Sequence, residues 1–572
     1  MKPFSQLLRT RLAAALNTLE VDLPDGFGVD VSLATDTRFG DYQSNSAMIL
    51  AKRLKQNPRE LAQAAVEAGD WEGLCETPEI AGPGFINFKI TQPSLEAHTL
   101  EVFQNDHLGV PQADPAETIV IDFSAPNVAK PMHIGHIRST FIGDCLSRVA
   151  RFLGHNVITD NHIGDWGTQF GMIIYGWKKY LNKEALDADP IRELLRVYRE
   201  VNAETKADNA VLQECRDELV KLQAGDEGNH AIWKQTVDLS LNQLGKLYDW
   251  LSISFDHYLG ESFYNDRLAP LVDELIEKGL SEESEGAMCI FFRDIPALEE
   301  KPAIVRKSDG GFNYTTTDLA TIDYRVSEWK ADKIWYVVGA PQQLHFQQIF
   351  AATKRRGHDV SLTHVAHGSI LGKDRKLMKT RSGDNVQLLD VLQEAVERAR
   401  AIIEEKNPTL SEDEKKDIAD AIGLGAVKYA ELSQHRMTDY IFSWDKMLSF
   451  QGNTAPYLLN AFVRTRAIFR KLGEEVIFPD TLTLEADGER SLAIKLAQFG
   501  ESVPNILNDF RPNLLANYLF ELAQTFHGFY EACPVLKSDG HTRASRLLLC
   551  ELTSRVLEQG LGLLGIRVTD RM

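Results

Sequence analysis

The sequence predicts a three-part α/β protein whose central part is a parallel β-sheet with helices on both faces. Between residues 119 and 386, short apolar runs of strand length alternate with amphipathic helical runs, which is the pattern of consecutive β-α-β units. The preceding segment mixes helical and strand-like periods, whereas the following segment is helical almost throughout. We therefore predict an N-terminal α+β domain at 1–110, a sheet domain at 111–387 and a C-terminal all-α domain at 388–572.

The composition is typical of a globular protein in water. The 572 residues suffice for about three or four domains, and 44% of them are hydrophobic and 25% charged. No apolar run reaches the roughly 18 residues of a membrane span, and the chain start lacks the continuous apolar stretch of a signal peptide. The six cysteines form no C-x-x-C pair, so we expect no disulfides, no metal site and a cytoplasmic location. A net charge of -20 argues against a general nucleic-acid binder but allows a local basic face.

The N-terminal domain is predicted from a helical start, a helical run at 47–54 and a closing strand at 84–90. Between the helical start and the helical run at 47–54, residues 39–43 read Phe-Gly-Asp-Tyr-Gln. Polar residues at 104–107 and prolines within 111–115 indicate a linker to the sheet domain.

A turn at residues 133–136, with the sequence His-Ile-Gly-His, is the most informative motif, and we call it the histidine turn. It follows an apolar run at 118–123 and precedes apolar residues at helical spacing, so it joins a buried strand to a helix. Backbone N–H groups at a helix N-terminus attract anions, and Gly135 leaves space for a nucleotide. His133 and His136 can donate hydrogen bonds to phosphate oxygens. The turn predicts nucleotide binding for phosphate displacement, the alternative being two incidental histidines near a helix start.

A glycine-bracketed, cation-rich segment at 367–383 follows a strand run late in the same domain, and we call it the cationic loop. Such a loop can close over a triphosphate and stabilise the charge on a leaving pyrophosphate. The alternative is a solvated basic turn. Because both motifs fall in one parallel-sheet domain, the nucleotide-binding interpretation is favoured.

Two helical regions complete the chain. A polar helical stretch at about 186–242 interrupts the strand–helix alternation and is predicted to be an insertion. In the C-terminal domain, apolar stripes predict a helix bundle. One of its helices carries Arg464, Arg466 and Arg470 beside aromatic residues, which suits contact with a nucleic-acid backbone and base stacking. An ordinary solvated helix face is the alternative.

Several stretches together resemble one family. The histidine turn is similar to the HIGH signature of class I aminoacyl-tRNA synthetases, and residues 378–382 (Met-Lys-Thr-Arg-Ser) resemble a degenerate form of their KMSKS loop. Residues 123–140, 164–171, 449–457 and 564–572 are similar to arginyl-tRNA synthetases in particular. The resemblance covers essentially the whole chain. It implies a Rossmann-type catalytic domain, an N-terminal domain that contacts the tRNA corner, and an anticodon-binding bundle.

The same resemblance implies that arginine is activated by ATP, with Mg²⁺, and transferred to tRNA by a monomeric cytoplasmic enzyme that usually requires bound tRNA for activation. His133 and His136 would hold phosphate oxygens, while Lys130, Lys379 and Arg381 would steady the triphosphate. ATP-binding positions would be His133, Gly135, His136 and Lys379. Where the usual loop has a lysine before its final serine, this chain has Arg381, and the family is thought to use Lys130 as the compensating cation.

An arginine pocket needs acceptors, because a guanidinium presents five donors and no acceptor. On a helix, Tyr314 and Asp318 would share one face. Positions matched by resemblance are Glu261, Tyr314 and Asp318 for the guanidinium and Asp122, Asn127 and Gln342 around the α-amino group. For a single acid such as Asp318, the alternative is an N-cap or a surface charge.

Three rival functions stay open on the sequence alone. Another class I synthetase would differ in its amino acid. A small-molecule nucleotidylyltransferase shares the His-x-Gly-His turn, but such chains are usually one short domain, so the helical C-terminal region weighs against it. A non-catalytic tRNA-binding relative would not be expected to keep His133, His136 and the cationic loop.

Overall fold

The computed structural model describes residues 1–19, 27–34, 36–372, 374–376, 378 and 386–572. Contacts divide the chain into two compact units, one of Met1–Gln112 with Leu448–Met572 and one of Ala113–Met447. The predicted boundaries at 110 and 387 stay predictions. By contacts, the helices after 387 group with the sheet up to Met447, and the first 112 residues group with the C-terminal bundle.

The N-terminal part of the first unit is α+β. Its elements are α1 (Phe4–Thr18), β1 (Ser32–Leu33), β2 (Tyr42–Ser44), α2 (Ser46–Leu54), α3 (Pro58–Ala68), β3 (Glu79–Ala81), β4 (Phe85–Phe88) and α4 (Gln92–Gln104). A short 3-10 helix at Thr37–Phe39 precedes β2. The strands form an antiparallel sheet in the order β1-β2-β4-β3.

The second unit contains the predicted parallel sheet. Its elements up to the sheet's last strand are β5 (Thr118–Asp122), α5 (His136–Phe152), β6 (Asn156–Asp160), α6 (Thr168–Tyr180), α7 (Lys183–Ala188), α8 (Pro190–Ala207), α9 (Asn209–Gln223), α10 (Glu227–Trp250), α11 (Asn265–Glu277), β7 (Glu282–Ser284), β8 (Ala287–Ile290), β9 (Ala303–Arg306), α12 (Tyr314–Ser327), β10 (Lys333–Tyr336), α13 (Gln343–Arg355) and β11 (Ser361–His364). The strands β11-β10-β5-β6 lie side by side in that order and are all parallel. The α/β fold prediction is confirmed.

The sheet register sets the level of the site. β5 is a central strand, and Ile119, Val120 and Ile121 are buried because helices cover both faces. Asp122 ends β5 opposite Tyr336 of β10 and Asp160 of β6. These residues therefore mark the carboxyl edge of the sheet, where open α/β sheets bind ligands.

Two parts of the second unit depart from the simple alternation. The helical insertion runs from α7 to α10, over Lys183–Trp250, and so extends beyond the predicted 186–242. The strands β7, β8 and β9 form a separate antiparallel sheet that sequence analysis did not predict. The unit closes with β12 (Ile370–Leu371), α14 (Leu388–Lys406), α15 (Glu412–Leu432), β13 (Tyr440–Ile441) and α16 (Trp444–Met447).

The C-terminal part of the first unit is a helix bundle, as predicted. Its helices are α17 (Ala455–Leu472), α18 (Asp487–Ala497), α19 (Phe499–Asn508), α20 (Pro512–Ala532) and α21 (Gly540–Leu563). Polar contacts tie it to the N-terminal part: Arg490 binds Asp41 at 2.7 Å, and the Tyr42 hydroxyl donates to Glu501 at 2.9 Å. These contacts explain why the two ends of the chain form one unit. Throughout the described ranges, no helix combines the length and apolar character needed to cross a membrane.

Candidate active site

The histidine turn is fixed in place by the backbone that leads into it. After β5, Ser124 and Ala125 adopt positive φ angles of 73° and 44°, which turns the chain out of the sheet. The Val128 N–H then donates to the Gly164 carbonyl at 3.1 Å, and the Gly164 N–H donates to the Pro126 carbonyl at 3.1 Å. A Cβ at 164 would lie 2.3 Å from Oδ1 of Asn127, so this close approach requires glycine.

Hydrogen bonds to the backbone orient both imidazoles. Nδ1 of His133 accepts from the Gly135 N–H at 3.1 Å, and Nδ1 of His136 lies 3.1 Å from the backbone nitrogen of His133. A neutral His133 that accepts at Nδ1 carries its proton on Nε2. Nδ1 of His136 also lies 3.2 Å from the His133 carbonyl oxygen, so this ring either accepts at Nδ1 from the N–H or donates from Nδ1 to the carbonyl. The ring centroids of the two histidines are 4.0 Å apart.

Burial keeps these histidines neutral. It lowers the pKa of His133, and it lowers the pKa of His136 to about 4, where the neighbouring His133 adds a smaller effect in the same direction. The histidine turn therefore offers two neutral imidazoles, and the contacts of His133 leave its Nε2–H as a donor. Compensating positive charge has to come from other groups.

The position of the His133 ring explains why residue 135 is glycine. A Cβ at this position would lie 2.9 Å from Nδ1 and Cε1 of the His133 ring. Any side chain at 135 would therefore displace the imidazole, in addition to narrowing the space for a nucleotide.

Both ends of the cationic loop are attached to ordered elements. On the C-terminal side, the Ile134 N–H donates to the Val386 carbonyl and the Leu388 N–H donates to the Met132 carbonyl, both at 2.9 Å. On the N-terminal side, β12 pairs in parallel with β13. The chain that follows the loop is thus hydrogen-bonded directly to the histidine turn.

Of the three cations predicted at the site, the structure describes Lys130. Lys379 and Arg381 lie outside the described residues. Nζ of Lys130 lies 4.7 Å from the ring centroid of Tyr198, a residue of α8 in the helical insertion. Lys130 is therefore in contact with an element that sequence analysis did not connect to the site.

Of the predicted guanidinium-binding residues Glu261, Tyr314 and Asp318, which we call the guanidinium pocket, two lie on one helix and the third is electrostatically coupled to one of them. Tyr314 and Asp318 lie one turn apart at the start of α12, as predicted. Glu261 begins the 3-10 helix Glu261–Tyr264, whose Ser262 donates to the Asp165 carboxylate through both its N–H, at 2.9 Å, and its hydroxyl, at 2.6 Å.

The carboxylates of this pocket are close enough to affect one another. Burial raises the pKa of Glu261 to about 7; the charges of Asp318 and Asp165 also raise it, whereas His162 lowers it. Glu261 is thus electrostatically coupled to Asp318. Oδ2 of Asp318 is 2.5 Å from Nε2 of His345, a residue that sequence analysis missed.

The residues predicted around the α-amino group lie in two settings. Asn127 and Gln342 are exposed, and Gln342 ends the 3-10 helix Ala340–Gln342 that follows β10. The Asp122 carboxylate is buried, and its Oδ2 accepts from Nη2 of Arg325 at 2.7 Å. The same Nη2 donates to Asp160 at 2.8 Å.

The arginines predicted to contact tRNA lie on α17, in the other unit. The guanidinium of Arg464 is 5.7 Å from the ring centroid of Tyr530, and Arg466 forms an ion pair with Glu551 at 3.0 Å. Arg470 is exposed in the last turn of the helix. Their contact with tRNA stays a prediction.

Family models match three successive stretches of the chain. The arginyl tRNA synthetase N-terminal domain matches residues 6–90, the catalytic domain of class I tRNA synthetases (R) matches 98–444, and the DALR anticodon-binding domain matches 458–572. The chain belongs to the class I arginyl-tRNA synthetase family. The predicted family is confirmed, and the matches run through both units.

Individual relatives of this arginyl-tRNA synthetase family agree along the full length. The arginine–tRNA ligase of Cellvibrio japonicus is 45% identical over 99% of each chain. The arginyl-tRNA synthetase of Plasmodium falciparum superposes with a TM-score of 0.86 at 28% identity, covering 100% of both chains. That of Thermus thermophilus gives 0.83 at 25% identity, covering 99% of this chain and 100% of the other. A single-domain nucleotidylyltransferase does not fit these full-length matches.

Proposed function

We infer that this chain is an arginine–tRNA ligase, which forms arginyl-adenylate from arginine and ATP and transfers the arginyl group to the 3′ end of its tRNA. AMP and pyrophosphate are the other products. The observation that carries this function is one sheet edge that presents two neutral histidine donors together with a pocket of carboxylates. The full-length identity of 45% to an arginine–tRNA ligase supports the same conclusion.

The chemistry needs positioned groups rather than a side-chain nucleophile. The arginine carboxylate attacks the α-phosphorus in line and pyrophosphate leaves; a ribose hydroxyl of the tRNA end then attacks the activated carbonyl. The Nε2–H groups of His133 and His136 donate to phosphate oxygens as the phosphorus becomes trigonal bipyramidal. Because both imidazoles are neutral before ATP binds, they orient these oxygens without giving up a proton.

Positive charge for the triphosphate comes from Lys130, Lys379 and Arg381 and from Mg²⁺. Among the described residues, no group of three His, Cys, Asp or Glu side chains has the geometry to hold a metal ion. We therefore place Mg²⁺ on the phosphates, as the MgATP complex in which ATP is bound. Gly135 keeps His133 in the position from which it reaches the nucleotide.

The guanidinium pocket selects the amino acid. The carboxylates of Glu261 and Asp318 accept the forked N–H groups of arginine, with the Tyr314 hydroxyl as a further acceptor. Asn127, Gln342 and the Asp122 carboxylate face the α-amino group. Lysine lacks the planar fork and would leave pocket acceptors unpaired, which strongly disfavours it.

The remaining parts serve the tRNA. Arg464, Arg466 and Arg470 contact the anticodon arm, the N-terminal domain contacts the tRNA corner, and arginine activation depends on bound tRNA. The enzyme acts as a monomer in the cytoplasm.

Aminoacylation of purified tRNA with arginine, lysine or citrulline tests the function. Charging with arginine alone is the expected result. Charging with another amino acid would assign the chain to a different specificity, and tRNA binding without any charging would make it a non-catalytic relative. Pyrophosphate exchange measured with and without tRNA tests the tRNA requirement.

A further inference from the structure

His345 lies beside the guanidinium pocket without belonging to the residues matched by resemblance. It sits in the first turn of α13, three residues after Gln342. Its Nε2 is 2.5 Å from Oδ2 of Asp318, and its ring centroid is 4.8 Å from that of Tyr314 in an edge-on arrangement. One imidazole therefore contacts two of the three residues that define the pocket.

The contact restrains the carboxylate that matters most for a planar ligand. The terminal torsion of an aspartate is broad, so an unrestrained carboxylate rotates among many planes. Bidentate recognition of a guanidinium requires the carboxylate and the guanidinium to be nearly coplanar. A hydrogen bond from His345 to Oδ2 fixes that plane before arginine arrives, and it leaves Oδ1 and the second lone pair of Oδ2 to accept from the substrate.

The second ring nitrogen of His345 is buried in an environment that is unfavourable for a polar atom. Its side chain is 12% exposed, against 23% for Asp318. Nδ1 is buried and has no hydrogen-bond partner among the residues that the structure describes. A buried polar atom without a partner is unfavourable, so the position is not explained by packing alone.

A second histidine–aspartate pair joins α12 to the segment that follows α13. Nε2 of His358 lies 3.0 Å from Oδ1 of Asp323, between the segment after α13 and the later part of α12. That pair is away from the guanidinium pocket, and Asp323 also binds Arg356 at 2.7 Å. It provides a matched control for the general contribution of a histidine–aspartate contact between α12 and α13.

We propose that His345 is a positioning residue for arginine: its Nε2–H orients the Asp318 carboxylate, and its ring edge supports Tyr314. This role rests on the proposed arginine–tRNA ligase function. It acts on the amino acid and leaves the phosphate chemistry of the histidine turn untouched.

Steady-state aminoacylation of three variants tests the role. H345L is expected to raise the KM for arginine about tenfold, the usual effect of losing a hydrogen bond to a charged group, with the KM for ATP changed by less than about twofold. H345Q is expected to restore most of the arginine KM, because its amide N–H can donate to the same carboxylate oxygen. H358L is expected to leave both KM values at the wild-type level.

A double-mutant cycle shows whether the effect passes through Asp318. In the D318N background, H345L is expected to add little to the arginine KM, because the group that it orients is already lost. Fully additive effects would overturn the proposal. So would an H345L variant whose kcat and both KM values change together, or one that binds arginine more tightly, since the imidazole would then compete with the substrate.

The experiments distinguish a failure of the His345 role from a failure of the proposed arginine–tRNA ligase function. A wild-type enzyme that fails to charge tRNA with arginine removes the proposed function. A wild-type enzyme that charges tRNA normally while H345L keeps the wild-type arginine KM removes only the role of His345.

Discussion

The two ends of the candidate site bury opposite kinds of titratable group, imidazoles at one end and carboxyl groups at the other. At the ATP end, burial favours the neutral form of both imidazoles. It lowers the pKa of His133, and it lowers the pKa of His136 to about 4. At the arginine end, burial raises the pKa of the Glu261 carboxyl to about 7, and the charges of Asp318 and Asp165 add smaller effects in the same direction. The first end offers neutral donors to an anion, whereas the second offers carboxyl groups whose ionised form a cationic substrate stabilises.

From this difference we expect substitutions at the two ends to affect different substrates. The positive charge of a bound guanidinium stabilises the ionised carboxylates of the pocket. Arginine binding and the ionisation of these carboxyl groups are therefore coupled. Neutral donors gain most where charge develops, which is in the transition state. Substitutions at the two ends should therefore separate into effects on the rate and effects on arginine affinity.

The largest effect is expected at the ATP end. H136A should lower kcat for arginylation by about 100-fold or more, the usual cost of removing one preorganised donor from a transition state. The affinity for tRNA, measured by a direct binding assay, should stay near the wild-type value. An H136A enzyme with near-normal kcat would remove the phosphate-binding role of this residue.

The next largest effect is expected at the arginine end. D318A should raise the KM for arginine about tenfold to hundredfold, because a guanidinium hydrogen-bonded to a carboxylate loses a charge-assisted contact. The KM for ATP serves as the internal control and should change little. Equal changes in both constants would place Asp318 outside the pocket.

A pH effect of intermediate size should sharpen the contrast. Because the pKa of Glu261 is raised to about 7, this carboxyl is mostly protonated below pH 7 in the empty pocket. The bound guanidinium favours the ionised form, so the KM for arginine should rise by about tenfold for each pH unit below that pKa. E261Q should flatten this part of the profile. An unchanged profile in E261Q would assign the titration to another group of the pocket.

The smallest effect is expected at Lys130. Y198L removes the ring that contacts the Lys130 ammonium, and it should raise the KM for ATP about two- to fivefold, as expected for a partly exposed cation–π contact. Y198F keeps the ring and should behave like the wild type. A loss in Y198F equal to that in Y198L would indicate that the hydroxyl is the important group.

Local patterns predicted much of the fold and the site. β5 and α5 follow from apolar periodicity and turn residues within single segments, so the histidine turn was visible in the sequence. Tyr314 and Asp318 were expected to share a face only if they lay on a helix, and α12 supplies that helix. The antiparallel strands β7, β8 and β9 were not predicted, because each has only three or four residues and so shows little alternation.

Long-range partners could not be read from the sequence. The Arg325 guanidinium reaches Asp122 across 203 positions, and no local pattern marks it. Likewise, Arg138, two residues after the histidine turn, forms a buried ion pair with Glu431, 293 positions away. The grouping of the first 112 residues with the C-terminal bundle has the same origin, since Arg490 and Asp41 are 449 positions apart.

The hydrogen bonds that join residues 132–134 to residues 386–388 use main-chain atoms alone. Related chains can therefore carry other side chains at these positions and keep the same hydrogen bonds. The connection would not be visible as conserved residues in an alignment. Proline is the exception at 134 and 388, because it has no N–H to donate. A loop transplanted from a relative would therefore keep its connection to the histidine turn without its own flanking residues, provided that neither position 134 nor position 388 becomes proline.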